Sequence, residues 1–205
     1  MAIKNKKQHR ESGFALLIAL IVVTALISIG LSVLDLSVRQ VRLSSNAADS
    51  EIAFHAANAG IECAVYWRRE NTAATAMDNG NSISPECFDE TPSPASVPGS
   101  NANSYLDSSA DASAYIYNYE FTWGTPNRCS EIRVLVINAD ESGDGAIISN
   151  ANITSTNLFP GYPSTAAKSC SAGAVCSVIS VQGYNKACTS TNTYGTVQRE
   201  VLIQL

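Results

Sequence analysis

Residues 14–34 read FALLIALIVVTALISIGLSVL, twenty-one positions without one charged side chain. Wound as a helix they would span about 31 Å, close to the hydrocarbon thickness of a bilayer. A secretory signal peptide carries a shorter apolar core and then a small-residue cleavage site. Here no A-x-A site with a turn follows, and helical patterning runs on. Leu34, Val38, Val41, Ser45, Ala48, Ile52, Ala56, Ala59 and Cys63 recur at spacings of three and four, an apolar or small stripe along one helix. No proline occurs before Pro85 to break it. The pattern predicts one helix from residue 14 to residue 70, with a transmembrane half, 14–34, and an amphipathic half, 35–70. Within the apolar run, Thr24, Ser28 and Ser32 follow one another at i+4 and lead to Asp35 and Arg39. Such a ribbon lets helices approach closely, and its hydroxyls can equally bond carbonyls of their own helix.

Charge is divided sharply at the start of this run. Residues 1–13 carry Lys4, Lys6, Lys7 and Arg10 against Glu11, a net +3. Of the chain's 13 basic and 18 acidic residues, nine and seventeen remain, so the rest of the chain carries −8. A negative body excludes nucleic acid as a partner, since binding phosphate needs basic surface. Lys and Arg stay on the cytoplasmic flank of a membrane segment. The expected topology is a single pass through the inner membrane, with the body outside the cytoplasm.

Beyond residue 70 the composition changes. Residues 71–113 are rich in Asn, Ser, Pro and Asp and read as irregular loop. AYIYNYEFTW then alternates strictly, with Tyr115, Tyr117, Tyr119, Phe121 and Trp123 on one face and Asn118, Glu120 and Thr122 on the other. That is a half-buried strand whose aromatic face suits packing on the long helix better than binding a ligand. Residues 124–127 supply a turn, and 129–138, 175–185 and 195–205 read as three further strands. Four strands in hairpin-like order predict an antiparallel sheet, hence an α+β fold with residues 71–205 as a globular head packed on the helix.

Six cysteines, Cys63, Cys87, Cys129, Cys170, Cys176 and Cys188, contain no C-x-x-C pair, and only His9 and His55 could join them. A zinc site is thereby disfavoured, and disulfides in an oxidising compartment are preferred over buried thiols. Many pairings are open. Antiparallel pairing of the second and third strands brings Cys129 toward Cys188, Cys170 and Cys176 can close a short loop, and Cys63 with Cys87 remains. No catalytic motif is present, neither G-x-S-x-G, H-E-x-x-H, P-loop nor Rossmann glycines, and no enzyme activity, metal or cofactor is expected. Asp140, Ser142, Asp144 and Gly145 mimic the first half of a calcium loop, but the twelfth position is Ala151, so an acidic solvated turn is favoured. Phe159 and Tyr162, in NLFPGYPST, could form an exposed adhesive loop or pack on the sheet edge.

The leader ends in Ser12-Gly13-Phe14, directly before the apolar run. This junction, with the retained long helix, resembles the class III signal of type IV prepilins. The resemblance implies that a membrane-embedded prepilin peptidase removes residues 1–13 by cutting after Gly13, that Phe14 becomes an N-methylated N-terminus, and that the helix stays. The family usually has Glu at the fifth mature position, where this chain has Ile18. A subunit without it resembles tip-located members, and SEIAFHAANAGIECA, residues 50–64, looks like the helix of PilX-type minor pilins. K-type pseudopilins are similar but carry a larger insertion. The terminal strand TVQREVLIQL is similar to the last strand of PilX-like proteins. The resemblance implies a minor pilin-like subunit of a type IV pilus or type II secretion-like filament. It would act near the tip in assembly initiation or adhesion, partnered through its helix by other pilins. The rival expectation is a membrane-anchored extracellular binding domain that never polymerises.

Overall fold

The computed structural model describes residues 12–70, 77–108, 112–141, 143, 145–148, 159, 161–162 and 168–205. The helix α1 runs Ser12–Arg69, beginning two residues before and ending one before the range expected from the apolar pattern. Arg68 and Arg69 occupy its last turn, where positive charge complements the helix dipole. The chain divides into two compact units, Met1–Ala47 and Ala48–Leu205. The described part of the first unit is helix throughout, and its residues 14–47 are all exposed.

In the second unit the strands are β1 (Ser100–Asn101), β2 (Leu106–Ser108), β3 (Ala112–Trp123), β4 (Arg128–Ala139), β5 (Ala146–Ile148), β6 (Lys168–Cys170), β7 (Val175–Tyr184) and β8 (Gln198–Gln204). They form a five-stranded sheet of order β1-β3-β4-β7-β8 and a three-stranded sheet of order β2-β5-β6. Every described pairing is antiparallel. The four strands expected from the sequence are the four long ones. A turn at residues 124–127 joins β3 to β4 and begins at Gly124, whose φ of 79° suits a residue without Cβ.

Each face of the larger sheet carries its own core. On one face Tyr117, Tyr119 and Phe121 of β3 join Ile132, Val134 and Val136 of β4 and Ile179 and Val181 of β7, with Ala57, Cys63 and Ala64 of α1. This is the aromatic face packed on the helix. A ring as large as Phe121 contributes about 2 to 3 kcal/mol when fully buried. On the other face Ala114, Ile116, Leu135, Ile137 and Val178 pack against Leu106, Ala146, Ile148 and Cys170 of the smaller sheet. Phe159 and Tyr162 belong to this second cluster and are 0% and 3% exposed. Of the two options for this loop, packing is the one these side chains adopt.

The helix stripe that faces the sheet is smaller in bulk than the sequence pattern suggested. Ala53, Ala56, Ala57, Gly60, Cys63 and Ala64 are its buried positions, whereas Ala59 and Ile52 are only partly buried. Small side chains let the backbones approach. A Cβ on Gly183 of β7 would collide with the Ala53 carbonyl and the Ala57 amide, and one on Gly60 would lie 2.6 Å from Val181 Cγ1. Ser130 Oγ of β4 donates to the Ala56 carbonyl at 2.7 Å, satisfying a buried hydroxyl at the contact.

Three disulfides staple this unit: Cys63–Cys87, Cys129–Cys188 and Cys170–Cys176. Cys63–Cys87 is the pair left over, Cys129–Cys188 the pair suggested by strand order, and Cys170–Cys176 the short loop. The first ties α1 to the loop after it, the second ties the start of β4 to the segment before β8, and the third joins β6 to β7.

Candidate assembly surface and processing junction

The exposed side chains of the first unit are those least suited to water. Phe14 is 71% exposed and Leu26 63%, and Leu16, Leu20, Ile29, Leu31, Leu34, Val41 and Leu43 are similarly open. Among the described residues this is the one helix long and apolar enough to cross a membrane. A bare apolar cylinder needs either lipid or other helices around it. Ile18, the fifth residue counted from Phe14, is 46% exposed.

The polar ribbon is satisfied from within. Thr24 Oγ1 donates to the Ile21 carbonyl and Ser32 Oγ to the Ser28 carbonyl, both at 2.9 Å, and Ser37 Oγ does the same to Val33. Asp35 and Arg39 pair at 3.0 Å one turn apart. What the ribbon offers a neighbouring helix is therefore its small size. The backbone at Ser12, Gly13 and Phe14 is already helical.

Other candidates resolve differently. Among the described residues one group of Cys, His, Asp or Glu is close enough to hold a metal, namely Glu120 with Cys129 and Cys188. Both sulfurs belong to a disulfide, so no thiolate is on offer. In the calcium-like loop, Ser142, Asp144 and Ala151 lie outside the described residues, and Asp140 is exposed. His55 stands on the exposed side of α1 with the Glu51 carboxylate 3.7 Å away.

Two features were not readable in advance. Trp123 stacks on Phe88 at 4.2 Å, with the Arg128 guanidinium 4.8 Å from the ring, because the Cys63–Cys87 bond holds the Phe88 turn beside the end of β3. The second is a row of carboxyl groups across β3, β4 and β8, which exists only once strand register is known.

Residues 12–62 match the family model described as PilX N-terminal. The match covers the apolar half of α1 and much of its sheet-facing part, and stops before the strands. No curated protein and no solved structure was found to match the chain.

Proposed function

We propose that this chain, whose residues 12–62 match the PilX N-terminal family model, is a PilX-like, type IV pilus-related pilin, and that it is a minor subunit placed near the filament tip, where it helps start assembly. The family is one of structural pilins, so the mechanism is packing. The observation that carries the reading is the coincidence of that match with a helix half whose large apolar side chains are all exposed. In the membrane this surface meets lipid, with the basic residues 1–13 on the cytoplasmic side. In a filament it meets other pilin helices, exchanging lipid contact for van der Waals packing.

Maturation is cleavage after Gly13 by a prepilin peptidase, with methylation of the new amine of Phe14. The glycine leaves room for the enzyme to close on the backbone, and its low helix propensity eases unwinding of the first turn. Mass spectrometry of the mature chain is the test. An N-terminus at methylated Phe14 supports the proposal. An intact Met1, or a cut beyond the helix, returns the chain to the rival reading of an anchored domain that does not polymerise. Gly13→Val places a branched side chain at the junction and should leave an uncut, membrane-held precursor, visible as a slower band on a gel.

A further inference from the structure

On the sheet face turned away from α1, one register row crosses four strands. Glu120 of β3 stands opposite Glu131 of β4, Glu131 opposite Gln182 of β7, and Gln182 opposite Glu200 of β8. Directly opposed side chains stand about 5 Å apart, and like charges so placed repel. The three carboxyl groups are unequally served. Glu131 accepts from Arg133 at 2.5 Å and shares the Tyr184 hydroxyl, 3.3 Å away, with Gln182 Oε1 at 2.9 Å. Glu200 accepts from Ser180 Oγ at 2.7 Å and from the Gly161 amide at 3.3 Å. Glu120 has no such donor among the described residues, and its near neighbours include the Cys129–Cys188 sulfurs, within 4.8 Å. The floor of the row is closed, since Ser180, Gln182 and Tyr184 are all buried.

Arg199, next to Glu200 in β8, is bonded to Ser50 of α1 instead. Residues 149–167 contain no charged side chain. Ser93 bridges the Glu120 backbone at the strand edge. Arg128 lies over Trp123, and Lys186 is bonded to Thr193 and to the Tyr194 carbonyl. Three carboxylates with Arg133 leave a formal charge of −2 on a partly desolvated strip.

We propose that this row is a proton-operated fastening of the head: in mildly acidic surroundings Glu120 takes up one proton and donates it in a hydrogen bond to the Glu131 carboxylate. The exchange replaces a repulsion between β3 and β4 by a bond, and requires only a proton from solvent. It belongs to the folded sheet and acts whether or not the helix polymerises. Burial, and then the charge of Glu131, push the Glu120 carboxyl above its usual range. An acid whose folded value lies above its unfolded value holds its proton more tightly in the folded chain. Stability therefore rises as pH falls through the folded value, and levels off below the ordinary carboxylate value of about 4.3.

Thermal unfolding of the full chain in detergent micelles, followed from pH 8 to pH 4, tests this. The wild type should melt higher at pH 5 than at pH 7. Glu120→Gln should melt higher than wild type at pH 7 and lose most of that slope. An unchanged slope in the variant, or a lower melting temperature at pH 7, overturns the proposal. A carboxyl carbon NMR titration of the wild type guards against a variant that misfolds. A Glu120 midpoint at or below the ordinary value overturns the proposal without any mutation. Calcium added at pH 7 serves as a further arm. If it raises the melting temperature of wild type but not of Glu120→Gln, the row is a metal site and the proton reading fails.

Discussion

Tyr117 and Tyr119 lie two positions apart on one face of β3, and their hydroxyls meet different fates. Tyr117 reaches the carbonyls of Met77 and Asn81 at 3.0 and 3.1 Å. The Tyr119 hydroxyl is buried without a hydrogen-bond partner among the described residues. A satisfied hydroxyl contributes about 1 kcal/mol, whereas a buried orphan costs desolvation. Tyr117→Phe should therefore lower unfolding stability by about 1 kcal/mol, while Tyr119→Phe should leave it unchanged or raise it by a similar amount. Urea denaturation of the two variants reads the difference, and equal losses would refute it. The same burial governs alkaline behaviour. Desolvation, aided by neighbouring charge from Asp78 and Glu131 respectively, pushes Tyr117 and Tyr184 from 10.0 up to about 12. The unfolded chain ionises first, so stability is full below pH 10 and is lost as pH rises toward 12. Tyr184→Phe should blunt that loss, which a pH series of unfolding midpoints would reveal.

At the scale of elements, the contact between α1 and the larger sheet depends on the absence of side chains. Gly183→Ala would force the helix off β7, and overpacking of this kind costs about 1 to 3 kcal/mol or more. The expected result is a lower urea midpoint with an unchanged denaturant slope. A silent Gly183→Ala would show that the helix can shift without loss. The disulfides act on the unfolded chain. Their sequence separations are 59, 24 and 6 residues for Cys129–Cys188, Cys63–Cys87 and Cys170–Cys176. Loop-closure entropy then ranks their contributions at about 4, about 3 and about 2 kcal/mol. Pairwise serine variants should unfold in that order, and a reversed order would place the stabilisation in native contacts instead. Long strands were legible in the sequence because ten residues of period-two alternation cannot be mistaken for a helix. The strands β2, β5 and β6 were not, because three residues set no period. Ala53, Ala57 and Ala64 were overlooked as contact positions for a related reason, since alanine and glycine carry little hydropathy and mark an interface only when a sheet is known to press on it.

For the whole molecule, Ile18 bears on where the proposed subunit sits. A carboxylate within an apolar helix costs about 2.5 to 3.5 kcal/mol on insertion scales. Major subunits are expected to bear that cost because the charge meets a neighbour's amine. A chain with isoleucine there offers no such charge and suits a place with no subunit ahead of it. Immunogold labelling of sheared filaments should show sparse label at their ends, and dense label along the shaft would remove the tip from the proposal. Residues 14–34 alone dictate an apolar helix, since twenty-one uncharged positions without proline leave the backbone no better way to satisfy its own polar groups in an apolar setting. Alternation along β3 likewise dictates a strand with one face on the helix. The Cys63–Cys87 clamp beside Trp123, the close approach of Gly183 to Ala53 and Ala57 and of Gly60 to Val181, and the carboxyl row from Glu120 to Glu200 could be decided only in three dimensions. Each joins residues dozens of positions apart, and a one-residue slip in strand register would turn the row's side chains to the opposite face.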